Sequence, residues 1–588
     1  MTWWLIACRE VEEPTPPPDP VVQPADLVVT GARFRTMDPV PGEGGSGGPE
    51  TAEAVAVRDG VLVYVGDAAG VEAFVGADTA RVTLDGATVL PGFTDAHNHL
   101  LWSGADLLLV DLYAAKTLDA FARRVTDWAA ANPDEPWVQG GGWDLTTFLD
   151  LVDAAVLDGM VADRPVYLYS ADAHSAVVNT RALAIAGIDA TTPDPADGTI
   201  VRDADGAPTG LLLEGAMTLV EDHLPAYSDA LADQGLRDAQ AEANGYGVTN
   251  VVDPLIEEWM LAGYQRAADA GTLTVRIHGA AYVDAADPDP VPAVIALRDR
   301  YHADRLELNA AKLFLDGVLE TGTAVLLAPY VDGHNGVPVF DDARLQADAI
   351  ALDAAGFQLH AHVIGDGAVR QFLDAVEAVE AANGPRDRRP LAAHLELIDP
   401  ADRPRFAALG VLADAQGLWA YPDSYVRDLT WPVIGPERSD ALYPFGSTAA
   451  AGATIVGGSD WSVTSQNPFE AIEVLVRRKN PWRDAALVLN EAEALDLTTA
   501  LRAYTDLGAR ASFSEDSLGT LTVGKRADFV VLDRDPYEVP VEALSDLVVT
   551  STWVDGVEVY RLPADGRRPA GAPALRPRGC PGVPPPAV

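Results

Sequence analysis

From residue 25 to 90, apolar and polar positions alternate in short runs, DLVVTGARF, AVAVRDGVLVYVG and ARVTLDG, separated by Gly and Asp turns. This is the two-residue period of half-buried β-strands. A matching set, GTLTVGKRADFVVLD and LVVTSTWVDGVEVY, lies near the other end of the chain. Neither set makes a sheet alone, so the two are expected to pair as one small β-sandwich built from residues 25–88 and 505–562. The Gly-rich stretch PVPGEGGSGGPE at 39–50 is then a hairpin loop.

Between these flanks the pattern changes to short apolar runs alternating with Ala-rich helical segments, which predicts β/α units around a parallel sheet. The runs are ATVLPGFTDAH, GVTNVVD, LTVRIHGA, LNAAKLFLDG, GFQLHAHVIG, PLAAHLELI, GVLADAQ and ATIVGGSD. This is the strand count of a (β/α)8 TIM barrel, here over residues 89–504. One further strand-like run, RPVYLYSADAH at 164–174, falls in an interval of about 101–246 that reads as an insertion after the first strand. The tail at 563–588 is rich in Pro, Gly and Arg and is expected to be disordered.

Composition narrows the classes. The formal charge is -47, with 88 Asp and Glu against 41 Lys and Arg, which argues against nucleic-acid binding because phosphate contacts need cationic side chains. The two cysteines, Cys8 and Cys580, lie in the tails, so any metal site uses His, carboxylate or Lys. No apolar run reaches the roughly 18 residues of a membrane-spanning helix. Leu5, Ile6, Ala7 and Cys8 resemble a bacterial lipobox and are followed by a Pro-rich acidic tether up to residue 24, although the basic n-region of a signal is absent. If that lipobox acts, Cys8 is lipidated and the protein is anchored in the bacterial cell envelope. If the segment is only a frayed hydrophobic N-terminus, the protein is cytoplasmic.

The polar residues inside the apolar strands carry the chemistry. His97 and His99 end the first run, Lys312 lies in the fourth, His360 and His362 in the fifth, His394 in the sixth, and Asp460 ends the eighth. Strand C-termini of such a barrel converge on one face, and residues two apart point to the same side, so His97 and His99 can share one ion. Taken singly, each has a plainer reading: a packed or rim histidine, a Lys312–Asp316 pair, a helix-capping Asp460. Metal-competent groups at the ends of five different strands are hard to obtain by chance.

PGFTDAHNHL, AAKLFLDG, HVIGDGAV, AAHLELID, GGSDWSV and SLGTLTVGKRADFVVLDRDP together resemble the amidohydrolase superfamily, specifically its YtcJ-like branch (amidohydrolase family 3), over about residues 26–560. The resemblance implies that His97, His99, His362, His394 and Asp460 are metal ligands, that His360 is inner-layer packing, and that Lys312 is a CO2-derived carbamate bridging two zinc-like divalent ions, or a plain amine beside one. It implies hydrolysis of a non-peptide C–N bond in a small amide-type substrate by a metal-activated water, with Asp460 as general base. Trp143, Asp144, His174 and Glu214 lie in segments that resemble pocket-facing parts of this branch and are the expected substrate contacts. The usual Glu before the sixth-strand histidine is replaced by Ala393, with Glu396 as a substitute of the same parity. Two rivals remain: an inert binding or sensor protein, favoured by that replacement, and a hydrolase of esters or other bonds, including one using Ser462 or Ser465, around which no Gly-x-Ser-x-Gly elbow is present.

Overall fold

The computed structural model describes residues 22–38, 50–149, 151–195, 197–482 and 486–563. Cys8, most of the expected hairpin loop and nearly all of the C-terminal tail lie outside these residues. Eight parallel strands form the barrel: β1 (Phe93–Asp95), β2 (Val248–Ile256), β3 (Arg276–Tyr282), β4 (Leu306–Phe314), β5 (Gln358–Val363), β6 (Leu391–His394), β7 (Leu412–Gln416) and β8 (Thr454–Gly458). They are hydrogen-bonded in chain order. Between β1 and β8, the Ala96 N–H donates to the Gly457 carbonyl at 2.9 Å and the Asp460 N–H to the His97 carbonyl at 2.7 Å.

Register decides which polar groups become neighbours. Lys312 pairs with His360 and Phe314 with His362 between β4 and β5, and Ala393 pairs with Asp414 between β6 and β7. Alternation then turns Lys312, His360, His362, Asp414 and Gln416 into the barrel, while Leu391, Leu412 and Val456 fill the interior at deeper layers. Outside, the helices Asp229–Gly245, Glu258–Asp269 and Asp366–Asn383 cover the strands with a continuous apolar core that includes Leu236, Tyr264, Ile277, Leu313 and Phe372. Each fully buried side chain of this size contributes roughly 1.5–3 kcal/mol of transfer free energy.

The first expected strand divides between two sheets. Thr88–Pro91 pairs antiparallel with Phe529–Leu532, whereas β1 begins after Gly92 and joins the barrel. A side chain at Gly92 would come within 2.4 Å of Thr249. The strands from both ends do pair, in one eight-stranded sheet in which Leu27–Arg35 also lies antiparallel to Thr51–Arg58. Val29, Phe34, Val57, Leu62, Phe529 and Trp553 form its apolar interior.

The insertion holds more structure than its alternation suggests. Six short strands between Val110 and Glu214 form a sheet of their own, and Val166–Ser170 is the one the sequence pattern picks out. The others are short or Gly-rich, as in VQGGGW at 138–143, and so carry little periodic signal. No helix among the described residues is long and apolar enough to cross a membrane.

Candidate metal centre

A cavity of about 1010 Å³ opens at the C-terminal end of the barrel, and His97, His99, Lys312, His362, His394 and Asp460 all line it. His97 and His99 follow β1 immediately. Two of these residues lie where the chain is bent out of extended geometry: His394 has φ 80° and Asp460 φ 53°. A non-glycine residue in this left-handed region costs of the order of 1–3 kcal/mol and persists where the surroundings over-determine it.

The hydrogen bonds decide which imidazole nitrogens are free. His99 Nδ1 lies 3.1 Å from the Pro254 carbonyl oxygen, which can only accept, so Nδ1 is the donor and Nε2 is the nitrogen whose lone pair a metal could use. His99 Nε2 is 3.1 Å from Asp460 Oδ1 and His97 Nε2 is 3.5 Å from the same oxygen. His97 Nδ1 is 3.1 Å from Asp414 Oδ2 and 3.0 Å from His360 Nε2, whereas its Nε2 is buried without a hydrogen-bond partner. His97, His99 and Asp460 therefore direct two nitrogens and one carboxylate oxygen at one point, close enough together to hold an ion. The orphaned Nε2 is the observation by which these residues fit a metal.

The other sites expected on barrel strands are adjacent. The His394 ring centroid is 4.9 Å from that of His97 and 4.5 Å from that of His362. His362 Nε2 faces the Gly317 carbonyl at 3.2 Å, leaving Nδ1 as the acceptor nitrogen of the neutral ring. Burial pushes the pKa values of His97, His362 and His394 well below that of a free imidazole, and the nearby positive charges of Lys312 and other histidines add to this. These rings are neutral, as ligands must be. Lys312 is buried and held down to about 8 by that burial, against the opposing pull of Asp460 and Asp414. Its alternative partner, Asp316, is occupied by the backbone N–H groups of Val325, Ile364 and Gly365.

With Asp414 and His97, the buried His360 also belongs to a second group of residues whose ligand atoms lie close enough to hold an ion. Burial pushes the Asp414 carboxyl well above the usual range, with Asp95 adding in the same direction, and its Oδ2 lies within hydrogen-bond distance of His97 Nδ1. Asp414 was not legible as a site residue. A single carboxylate between alanines in the run LADAQ is its only signal, and the partner that gives it meaning is Gly458, where a Cβ would meet His97 and Asp414.

Of the expected substrate contacts, Asp144, His174 and Glu214 line the cavity. Trp143 does not. It is 2% exposed within the core of the insertion, its Nε1–H donating to the Leu168 carbonyl at 2.9 Å, because the strand Val138–Trp143 turns it away from the cavity. His174 Nδ1 pairs with Glu214 Oε2 at 2.7 Å. Burial alone would lower the His174 pKa, but Glu214, then Asp172 and Asp460, outweigh it and push it up to about 9. Its ring lies 5.1 Å from that of His362, so a cationic imidazolium stands beside the ligand cluster. Glu396 makes no hydrogen bond to His394 among the described residues. The His394 N–H instead donates to Gln416 Oε1 at 2.7 Å, and its ring stacks on Trp419 at 5.1 Å.

Comparison with known proteins gives consistent matches. Residues 82–560 match the family described as the amidohydrolase family. The chain is 30% identical to the putative amidohydrolase YtcJ of Bacillus subtilis, over 87% of this chain and 96% of that protein. It is 28% identical to the N-substituted formamide deformylase of Arthrobacter pascens, over 92% and 99% respectively. In fold it resembles the crystal structure of an uncharacterized metal-dependent hydrolase from Pyrococcus horikoshii, with a TM-score of 0.69 at 23% identity, covering 88% of this chain and 99% of that one.

Proposed function

Because the chain belongs to the amidohydrolase family, we propose that it is a metal-dependent hydrolase of a non-peptide C–N bond, with N-substituted formamides and related small amides as its first candidate substrates. The observation that carries this reading is the convergence of His97 Nε2, His99 Nε2 and Asp460 Oδ1, with His97 Nε2 buried and unpartnered. The similarity to a protein named for deformylating N-substituted formamides supports the substrate class. His97, His99, His362, His394 and Asp460, with Lys312, are the residues that would hold the ion or ions. A zinc-like dication held there would supply two things: polarisation of the amide carbonyl and acidification of water.

The remaining steps fall to the protein. Asp460 accepts the proton of the attacking water at its carboxylate and returns it to the leaving nitrogen, so that the amine departs neutral. The Pro254 carbonyl and Asp414 fix the tautomers of His99 and His97. The His174 imidazolium, held by Glu214, offers an N–H to the oxygen that gains charge. Lys312, brought toward neutrality by burial, has in its unprotonated fraction the amine that attacks CO2: the N–C bond forms as one C–O π bond opens, one proton leaves, and the product carbamate would offer an ion an anionic oxygen in place of an ammonium.

The test is a panel of N-formyl and N-acyl amines incubated with zinc-loaded protein, amine release being measured alongside elemental analysis of the same sample. Release that depends on bound metal is expected. A metal-loaded protein that turns over none of the panel refutes the reading, and metal-free turnover points to a serine hydrolase. Intact mass spectrometry under CO2 reports the carbamate as a mass increment of one CO2, absent in Lys312→Arg.

A further inference from the structure

We propose that the side of the cavity next to the sixth strand binds an organic cation, so that the amide cleaved here carries a second nitrogen in ammonium form. The proposal rests on the hydrolase reading above for the word amide, but the cation site stands on its own geometry.

Glu396 follows His394 by two residues. The chain turns sharply there, with Leu395 at φ 53°, and the Tyr443 N–H fixes the turn by donating to the Glu396 carbonyl at 2.8 Å. The side chain that results lines the cavity, is 2% exposed, and is hydrogen-bonded to the Tyr443 side chain, while its Oε2 is buried with no hydrogen-bond partner. A buried, unpaired carboxylate oxygen is expensive, and in a native protein it marks a position that something else completes.

The surroundings select a cation. Glu320 and Asp423 line the same cavity, and after burial itself they are among the groups that oppose ionisation of Glu396, an opposition that a bound cation would offset. Both are held in place, Glu320 accepting from Thr430 Oγ1 at 3.1 Å and Asp423 from the Val426 N–H at 2.9 Å. Among the described residues no arginine lines the cavity, its lysines are Lys116 and Lys312, and the His174 imidazolium in the same cavity is paired with Glu214. Lys312 is committed to the metal centre, and Lys116 lies 3.6 Å from Asp144. The acidity of the protein as a whole does not account for this cluster, since surface carboxylates are solvated and Glu396 is not.

Two features favour an organic cation over a second metal ion. Among the described residues, the groups of acids and histidines whose ligand atoms are close enough to share one ion lie at His97, and none includes Glu320, Glu396 or Asp423. The cavity also presents Trp419, Tyr421, Tyr443 and Trp482, and aromatic faces attract an ammonium through their quadrupole while offering nothing to a hydrated dication. A substrate ending in a carboxylate, such as an N-acyl amino acid, would meet like charge here.

Two measurements test the site separately from the chemistry. In calorimetry at low salt, benzylammonium is expected to bind at least about tenfold more tightly than benzyl alcohol, which corresponds to about 1.4 kcal/mol. That preference should be lost in Glu396→Gln and reduced in Glu320→Gln, the second variant deciding the matter should the first fail to fold. With zinc-loaded protein, mono-N-formyl diaminobutane should exceed its methyl-ended isostere N-pentylformamide in kcat/KM, and Glu396→Gln should bring the two together. Equal affinity for benzylammonium and benzyl alcohol, or a cation preference that neither variant changes, overturns the site. Turnover of both formamides without preference also overturns it while keeping the hydrolase reading. Selective ammonium binding with no turnover of either keeps the site and removes the hydrolase reading.

Discussion

Gly458→Ala is the substitution whose consequence follows most directly from the geometry. Gly458 ends β8 with no positive φ, so alanine meets no backbone objection there. Its Cβ would nevertheless lie 2.6 Å from His97 Cβ, 2.8 Å from Asp414 Oδ1 and 2.8 Å from Gln416 Nε2. Carbon atoms rest about 3.5–4.0 Å apart, so His97 must retreat by roughly 1 Å, and it cannot do so while keeping its 3.1 Å contact to Asp414. Overpacking of this kind costs about 1–3 kcal/mol of stability, and displacing a catalytic group by about 1 Å costs of the order of 10²-fold in rate. The expected outcome is a folded protein with a lowered Tm, weakened metal binding and a fall of about 10²-fold in kcat/KM. The assays are calorimetric unfolding, elemental analysis after dialysis, and amine release. Gly159→Ala is the control: it sits in the helix Ala154–Met160 with nothing within 4 Å of the added carbon, and should be neutral or slightly stabilising. Full metal content and unchanged kcat/KM in Gly458→Ala would refute the packing of His97 against β8 on which the reading of the centre depends.

Asp460→Asn should abolish turnover while most of the metal stays bound, since the imidazoles remain; wild-type activity in this variant removes the proton-carrier role. Asp414→Asn, which takes the carboxylate from behind His97, should weaken metal binding by about 10–100-fold in chelator competition, and an unchanged dissociation constant would show that the contact is incidental. The His174–Glu214 pair predicts a pH dependence. The His174 pKa is raised to about 9 from about 6.5 in the unfolded chain, so its contribution to stability is fully present below the unfolded value and is lost as pH rises through about 9. Tm should therefore decline across that window in the wild type and decline less in Glu214→Gln; parallel curves would count against the pair.

Much of the centre was legible because β-strand parity is local. Residues two apart share a face whatever the rest of the chain does, so the spacing of His97 and His99, and the place of His362, His394, Lys312 and Asp460 at or near the ends of apolar runs, could be read from order alone. The same locality explains the misreadings. ATVLPGFTDAH is one apolar run, yet it serves two sheets, because the switch at Gly92 depends on how closely Thr249 approaches. Trp143 has the same local look as Asp144, but the sheet of the insertion buries one and leaves the other at the cavity.

What the sequence alone determined was therefore a barrel of eight strands and the His, Lys and Asp residues that lie at or near their ends. Tertiary structure decided which groups meet across the barrel: Asp414 and His360 behind His97, Gly458 giving them room, Glu214 charging His174, and Glu396 lining the cavity with Oε2 unpartnered. The strands carrying His97 and Asp414 are separated in sequence by more than three hundred residues. Contacts of that kind arise from closure of the barrel and from register between strands, and no periodicity along the chain records either.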